Sequence, residues 1–97
     1  MTLLTKEVEE KLPALYSQEH VPDPFAQVKF IDTIGSWIWY ATEYDGINIF
    51  FGFVVGHEQE LGYFSLAEFE DVNREAGFER IARDPDFEPV RISQLRS

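Results

Sequence analysis

The stretch that decides the fold is WIWYATEYDGINIFFGFVV, residues 37–55, in which two runs of aromatic and β-branched residues flank an Asp45-Gly46 pair. Such residues favour strands, because their side chains pack well on a pleated surface. An Asp-Gly pair between two such runs is typical of a β-hairpin, since a type I′ turn needs positive φ at both central positions. We therefore predict an antiparallel hairpin from Trp37 to Val55 that turns at Asp45 and Gly46.

A two-residue turn also fixes which residues face each other across the hairpin. It places Tyr44 opposite Ile47 and predicts one core face, formed by Ile38, Tyr40, Thr42, Tyr44, Ile47, Ile49, Phe51 and Phe53. The other face carries Trp37, Trp39 and Phe50, with Trp39 opposite Gly52. This second face is also apolar, so either it is exposed for a partner or the fold covers it. We expect both faces to be covered, because large exposed apolar patches are uncommon on monomers. The first helix would lie on one face and the second helix or the tail on the other.

Two helices are predicted outside the hairpin. Thr5 is a candidate N-cap for a helix of about Lys6 to Leu12. The segment Ser65-Leu66-Ala67-Glu68 has the spacing of a capping box. A second helix should therefore run from about Leu66 to Ala76 and end at Gly77.

Short strands complete the predicted fold, at Val28 to Ile31, Leu61 to Phe64, Phe78 to Ile81 and Val90 to Ile92. The strands cluster between the helices and are joined by hairpins, which favours an α+β fold over a parallel α/β fold. We predict an antiparallel sheet of three to five strands around the central hairpin, with two main helices. A chain of 97 residues has room for one core, so residues 1–97 should form a single domain.

Composition excludes several function classes. The chain has no cysteine, which excludes thiol chemistry and cysteine-based zinc sites. It carries a formal net charge of −10, so direct binding to nucleic acid or to an anionic membrane is disfavoured, because both depend on Lys and Arg. No apolar stretch is long enough for a signal peptide or a membrane span. We expect a cytoplasmic protein.

Acidic residues dominate the middle of the chain. Residues 30–73 contain no lysine or arginine but eight acids: Asp32, Glu43, Asp45, Glu58, Glu60, Glu68, Glu70 and Asp71. On a hairpin and a helix such acids would form a rigid surface that attracts a basic partner. The simpler interpretation is that the acids only keep the protein dissolved.

No catalytic constellation is visible. His57-Glu58-Gln59-Glu60 begins like the zinc-protease helix motif, but Leu61 stands where the second histidine is needed. A looser metal site of His57, Glu58 and Glu60 is a less favoured alternative to a solvated loop. The serines lack a nucleophile-elbow context and the glycines do not form a phosphate loop. We predict no catalytic residue, no metal and no cofactor.

Four segments resemble a family of short acidic bacterial proteins: Leu3-Leu4-Thr5-Lys6, Trp37-x-Trp39-Tyr40-Ala41-Thr42-Glu43-Tyr44-Asp45-Gly46, Leu61-Gly62-Tyr63-Phe64-Ser65-Leu66 and Asp86-Phe87-Glu88-Pro89. That family is catalogued as a domain of unknown function, and its members are often carried on plasmids and integrative elements beside antirestriction genes. The resemblance runs over nearly the whole chain and brings no catalytic residues. It implies a setting among accessory genes of mobile genetic elements, where small acidic inhibitors of host nucleases recur.

We expect a non-catalytic acidic interaction protein. The more specific hypothesis is a nucleic-acid mimic that inhibits a host defence or DNA-processing protein. Its partner would be a basic or nucleic-acid-binding protein. The candidate partner-binding residues are Glu43, Asp45, Glu58, Glu60, Glu68, Asp71 and Glu75 for charge and Trp37 and Trp39 as anchors. Two alternatives stay open: a small ligand-binding module or hydrolase with a pocket beside the sheet, and a structural adaptor or homodimer with a solubilising surface.

Overall fold

The predicted central hairpin is present, with a different register, and lies inside a five-stranded antiparallel sheet. The structure is a computed structural model that describes residues 3–96. Its elements are α1 (Lys6–Glu10), β1 (Phe25–Ala26), β2 (Val28–Asp32), β3 (Ile38–Tyr44), β4 (Ile49–Val55), β5 (Gln59–Ser65), α2 (Leu66–Ala76), β6 (Ile81–Arg83), β7 (Val90–Arg91) and α3 (Ile92–Leu95). The main sheet has the order β5-β4-β3-β2-β6, and β1 pairs with β7 in a small second sheet. The α+β prediction is confirmed.

The predicted N-cap residues and the end of the second helix are also confirmed. The Thr5 hydroxyl accepts a hydrogen bond from the Val8 N–H, and the Ser65 hydroxyl accepts one from the Glu68 N–H. Gly77 ends α2 in the left-handed region, at φ 77°, where glycine has no Cβ to clash. The first helix is shorter than predicted and ends at Glu10.

The predicted hairpin register is wrong. Tyr44 pairs with Phe50 rather than with Ile47, and Trp39 pairs with Val54 rather than with Gly52. The turn is longer than two residues because the Asp45 carboxylate organises it: Oδ1 accepts hydrogen bonds from three successive backbone N–H groups, those of residues 47–49, at 2.7–3.0 Å. Asp45 therefore closes a wider loop that the Asp-Gly pair alone does not predict.

A β-bulge in β3 divides the predicted core face between the two sides of the sheet. Ala41 pairs with Gly52 but Glu43 pairs with Phe51, so Thr42 is the extra residue. The Thr42 hydroxyl donates to the Phe51 carbonyl at 3.0 Å. An extra residue on one strand reverses which side the following residues face.

Both sides of the sheet are covered. One side, here called the helix face, packs beneath α1 and α2, where Phe30, Tyr44 and Phe50 of the sheet form a core cluster with Phe69 of α2. The other, the tail face, is covered by the carboxy-terminal segment, where Ile92 packs with Tyr40 and Phe53. Helices α1 and α2 thus lie on one face, and the tail, including α3, lies on the other. Gly52 allows the strands to meet closely, because a Cβ there would lie 1.8 Å from the Tyr40 carbonyl oxygen.

The outer strands differ from their predicted bounds. The strand expected at Phe78 begins only at Ile81, since the residues after Gly77 complete the turn that leaves the helix. Ile92 begins α3 instead of ending a strand. Within residues 3–96, no helix is long and apolar enough to cross a membrane.

Candidate functional site

The two tryptophans lie at one edge of the helix face, with ring centroids 6.0 Å apart. Trp39 is half-buried and packs edge-on against Phe69 of α2, 4.9 Å between centroids. Trp37 is 37% exposed and meets the His57 ring at 5.6 Å. Trp39 is therefore mainly a core residue, and Trp37 is the one that a partner could reach.

A groove runs along the helix face between α2 and the outer strand β5. It has a volume of about 540 Å³ and is lined by four of the nine candidate partner-binding residues: Trp37, Trp39, Glu60 and Glu68. The two carboxylates come from different elements, Glu60 from β5 and Glu68 from the first turn of α2. We call this the acidic groove, and it brings together residues that are distant along the chain, such as Trp37 and Glu68.

The acidic groove has little positive charge of its own. Among its described lining residues Arg80 is the only lysine or arginine, and its Nε lies 3.3 Å from Asp32 Oδ1. The hydrogen bond from Arg80 holds the pKa of Asp32 below its ordinary value, with help from the backbone N–H groups of Ile34 and Gly35. Because Asp32 pairs with Arg80, the carboxylates of Glu60 and Glu68 set the charge of the groove.

Three of the four acids of α2 form a stripe along the helix. Glu68, Asp71 and Glu75 are all exposed, and their spacing of three and four residues aligns them along the helix. Asp71 forms an ion pair with Arg74. Glu68 and Glu75 consequently contribute more negative potential than Asp71 does.

Two candidate acids have structural roles instead. Glu43 is only 3% exposed, and its carboxylate accepts hydrogen bonds from the backbone N–H groups of Tyr16 and Gln18 at 2.9 and 2.8 Å. The prediction that Glu43 belongs to an exposed acidic surface is wrong, because the bulge turns it inward onto the tail face. Asp45 closes the hairpin loop, and hydrogen bonds from Asn48, Ile47 and Ile49 lower its pKa.

A second groove, of about 680 Å³, lies on the tail face. Four exposed apolar side chains line it: Tyr16, Val21, Leu61 and Tyr63. At its polar end Asp23 accepts hydrogen bonds from the Ser93 hydroxyl and backbone N–H, which lower the pKa of Asp23. No local pattern in the sequence indicates this groove, because its walls come from several segments that are distant along the chain.

The looser metal site does not form. Across residues 3–96 no three His, Cys, Asp or Glu side chains come together as metal ligands. His57 and Glu58 lie exposed in the β4–β5 connection, and the His57 ring meets the ring of Trp37.

Comparison with known families matches residues 3–95 to the family described as Protein of unknown function (DUF2958). The chain belongs to this family. The match spans every strand and helix of the DUF2958 domain, so both grooves lie within it. The resemblance identified from the sequence is confirmed at the level of the family. Comparison with curated proteins and with solved structures gave no match.

Proposed function

We propose that this DUF2958 protein is a non-catalytic interaction protein that binds a basic partner through its acidic groove. The observation that carries the proposal is the convergence of Trp37, Glu60 and Glu68 on one groove whose only lining cation is already paired. An exposed tryptophan supplies apolar contact area and is among the residues enriched at binding hot spots. The two carboxylates add charge complementarity, which favours a lysine- or arginine-rich surface and opposes an acidic one.

The sharper form of the proposal is that the partner's basic surface is one that normally binds nucleic acid. An α-helix rises about 1.5 Å per residue, so Glu68 and Glu75 lie about 10 Å apart along the helix, about the spacing of two phosphates three nucleotides apart on one DNA strand. The helix could thus stand in for a short stretch of one strand. In this form the protein inhibits a DNA-processing or host defence protein.

The test is a pair of double charge reversals with equal net charge. Glu60→Lys with Glu68→Lys changes the groove, whereas Glu7→Lys with Glu88→Lys changes two exposed acids that do not line it. Immobilised wild type and both variants would be exposed to a bacterial lysate at low and at physiological salt. We expect the wild type and the control to retain the same nucleic-acid-binding proteins, with retention falling as salt rises, and the groove variant to lose them.

Equal retention by all three proteins, or no salt-dependent retention, would contradict the proposal. A recovered partner then allows the sharper form to be tested by competition. Duplex DNA should displace the wild type from the purified partner if both occupy one surface. Simultaneous binding of DNA and this protein would refute mimicry while leaving the interaction itself in place.

A further inference from the structure

Strand β5 forms one outer edge of the main sheet. It pairs with β4 along its whole length, from Gln59 opposite Val55 to Ser65 opposite Ile49. No other strand of residues 3–96 pairs with β5. An edge strand presents backbone donors and acceptors that can pair with another chain.

The hydrogen bonds that flank β5 show which of its backbone groups point outward. The Leu66 N–H donates to the Asn48 carbonyl at 2.9 Å, and the Gly56 N–H donates to the Glu58 carbonyl at 3.0 Å. In an antiparallel pair, residues that bond to the partner alternate with residues that do not. By this alternation the residues at positions 60, 62 and 64 bond to β4. The N–H and C=O groups of Leu61 and Tyr63 therefore point away from the sheet.

The opposite edge of the sheet is closed. Strand β6 has three residues, and the Asn73 side chain bonds to it twice: the Ile81 N–H donates to Oδ1 at 2.7 Å and Nδ2 donates to the Ile81 carbonyl at 2.9 Å. By contrast, β5 carries one charged side chain, Glu60, in seven residues; it contains no proline and no lysine, and its pairing with β4 shows no bulge. These are the devices that commonly protect an edge.

The side chains of β5 also alternate between the two grooves. Glu60, Gly62 and Phe64 line the acidic groove on the helix face, which Tyr63 also lines in part. Leu61 and Tyr63, which are 48% and 58% exposed, line the groove on the tail face. A strand added beside β5 would place its own side chains alternately over these two surfaces.

We propose that β5 is a docking edge for an extended segment of a partner protein, which adds to the sheet as a sixth strand. The segment should alternate basic residues, facing Glu60 and Glu68, with apolar residues, facing Leu61 and Tyr63. Its backbone bonds to the outward groups of residues 61 and 63, the mode known as β-strand addition. The inference rests on the proposed function, since the acidic groove supplies the preference for basic residues. A second copy of this chain fits poorly, because each copy carries a charge of −10.

The first arm of the test uses two synthetic peptides on the unaltered protein. One alternates valine and lysine, and the other has the same sequence with N-methyl groups on alternate peptide bonds, so that the charge stays but the donors facing β5 are gone. Binding is followed by amide NMR. We expect the unmodified peptide to slow hydrogen exchange at Leu61 and Tyr63, and the methylated peptide to bind about tenfold more weakly, the effect of losing one or two hydrogen bonds.

The second arm changes the edge itself. Leu61→Pro removes one outward N–H and leaves the β4 ladder intact, since proline is tolerated on an edge when its nitrogen faces solvent. Leu61→Thr, which keeps the N–H, is its matched control. We expect the proline variant to bind the unmodified peptide about tenfold more weakly than the threonine variant.

The outcomes separate this inference from the proposed function. Equal binding of both peptides, or no binding of either, overturns the docking edge. If the two peptides bind equally and the groove charge reversal weakens both, the acidic groove stands without the edge. If methylation matters and the charge reversal does not, the edge stands and its basic preference is refuted. A wild-type dimer that Leu61→Pro dissociates would make a second copy the occupant and overturn the proposed partner.

Discussion

The two edge strands of the main sheet, β6 and β5, differ in whether their outward backbone groups have hydrogen-bond partners. At β6 the Asn73 amide satisfies both backbone groups of Ile81, and Asn73 belongs to α2, the helix that also covers the core. At β5, by contrast, the first turn of the same helix lines the acidic groove beside the strand. One helix thus closes one edge and leaves the other beside a charged groove. The unpaired edge therefore lies beside acidic side chains, and the like charge of two copies opposes their pairing at this edge.

The largest expected effect comes from proline inside the open edge. Gly62→Pro should lower the free energy of unfolding by about 3 kcal/mol, because it removes an N–H that bonds to β4. Leu61→Pro, one residue away, should cost much less, since its N–H points outward. Gly62→Ala is the control for side-chain size, because a Cβ at Gly62 meets nothing within 4 Å. Denaturant unfolding measures all three, and similar losses for both proline variants would show that the assigned alternation is wrong.

A smaller effect is expected at the closed edge. Asn73→Leu keeps the approximate size of the side chain but leaves the N–H and C=O of Ile81 without their partners, which should cost about 2 kcal/mol. Asn73→Asp keeps the acceptor for the N–H and should lose less. Replacing the exposed neighbour, Arg74→Ala, should change stability by under about 0.5 kcal/mol. An Asn73→Leu variant as stable as Arg74→Ala would mean that the closed edge depends on other contacts.

The smallest effect is a pH dependence at the start of β6. Asp32 pairs with Ile81 across the sheet and with Arg80 by an ion pair, and the Arg80 hydrogen bond lowers the pKa of Asp32 from 3.8. A lowered folded-state pKa means that this stability is present above the unfolded value and is lost as pH falls through the folded value. Asp32→Asn should therefore flatten acid unfolding below about pH 4.

The control for that measurement is Glu7→Gln, which neutralises an exposed carboxyl on α1. Its acid unfolding should follow the wild type. If Asp32→Asn also retained the full slope, the ion pair with Arg80 would contribute nothing measurable, and the start of β6 would depend on its backbone pairing alone. Asp23 and Asp45 also have lowered pKa values, so part of the slope should remain in every variant.

Local sequence signals predicted several elements well. The bounds of α2 follow from the Ser65 cap and from Gly77, because both act within one helical turn. The existence of the hairpin follows from the Asp45-Gly46 pair between two β-rich runs. Its register does not follow, because the Asp45 carboxylate widens the turn and Thr42 adds a bulge.

The candidate site shows the same division. The sequence identified Trp37, Glu60 and Glu68 by residue type and by the absence of basic residues, and the fold brings these three to one groove. The sequence-based prediction misplaced Glu43. Alternate residues of a strand face opposite sides of the sheet, and a single bulge reverses which side the following residues face. The tail-face groove could not be predicted, because its residues meet only after the chain has folded.

The sequence by itself determined the α+β class, the helix caps, the acidic central region and membership of the DUF2958 family. These properties depend on composition or on residues within about one helical turn of each other. Only the tertiary structure decided the hairpin register, the burial of Glu43 and the difference between the edges at β5 and β6. Those features depend on hydrogen bonds between distant residues, such as Tyr16 with Glu43, whose geometry exists only when the strands and helices are packed together.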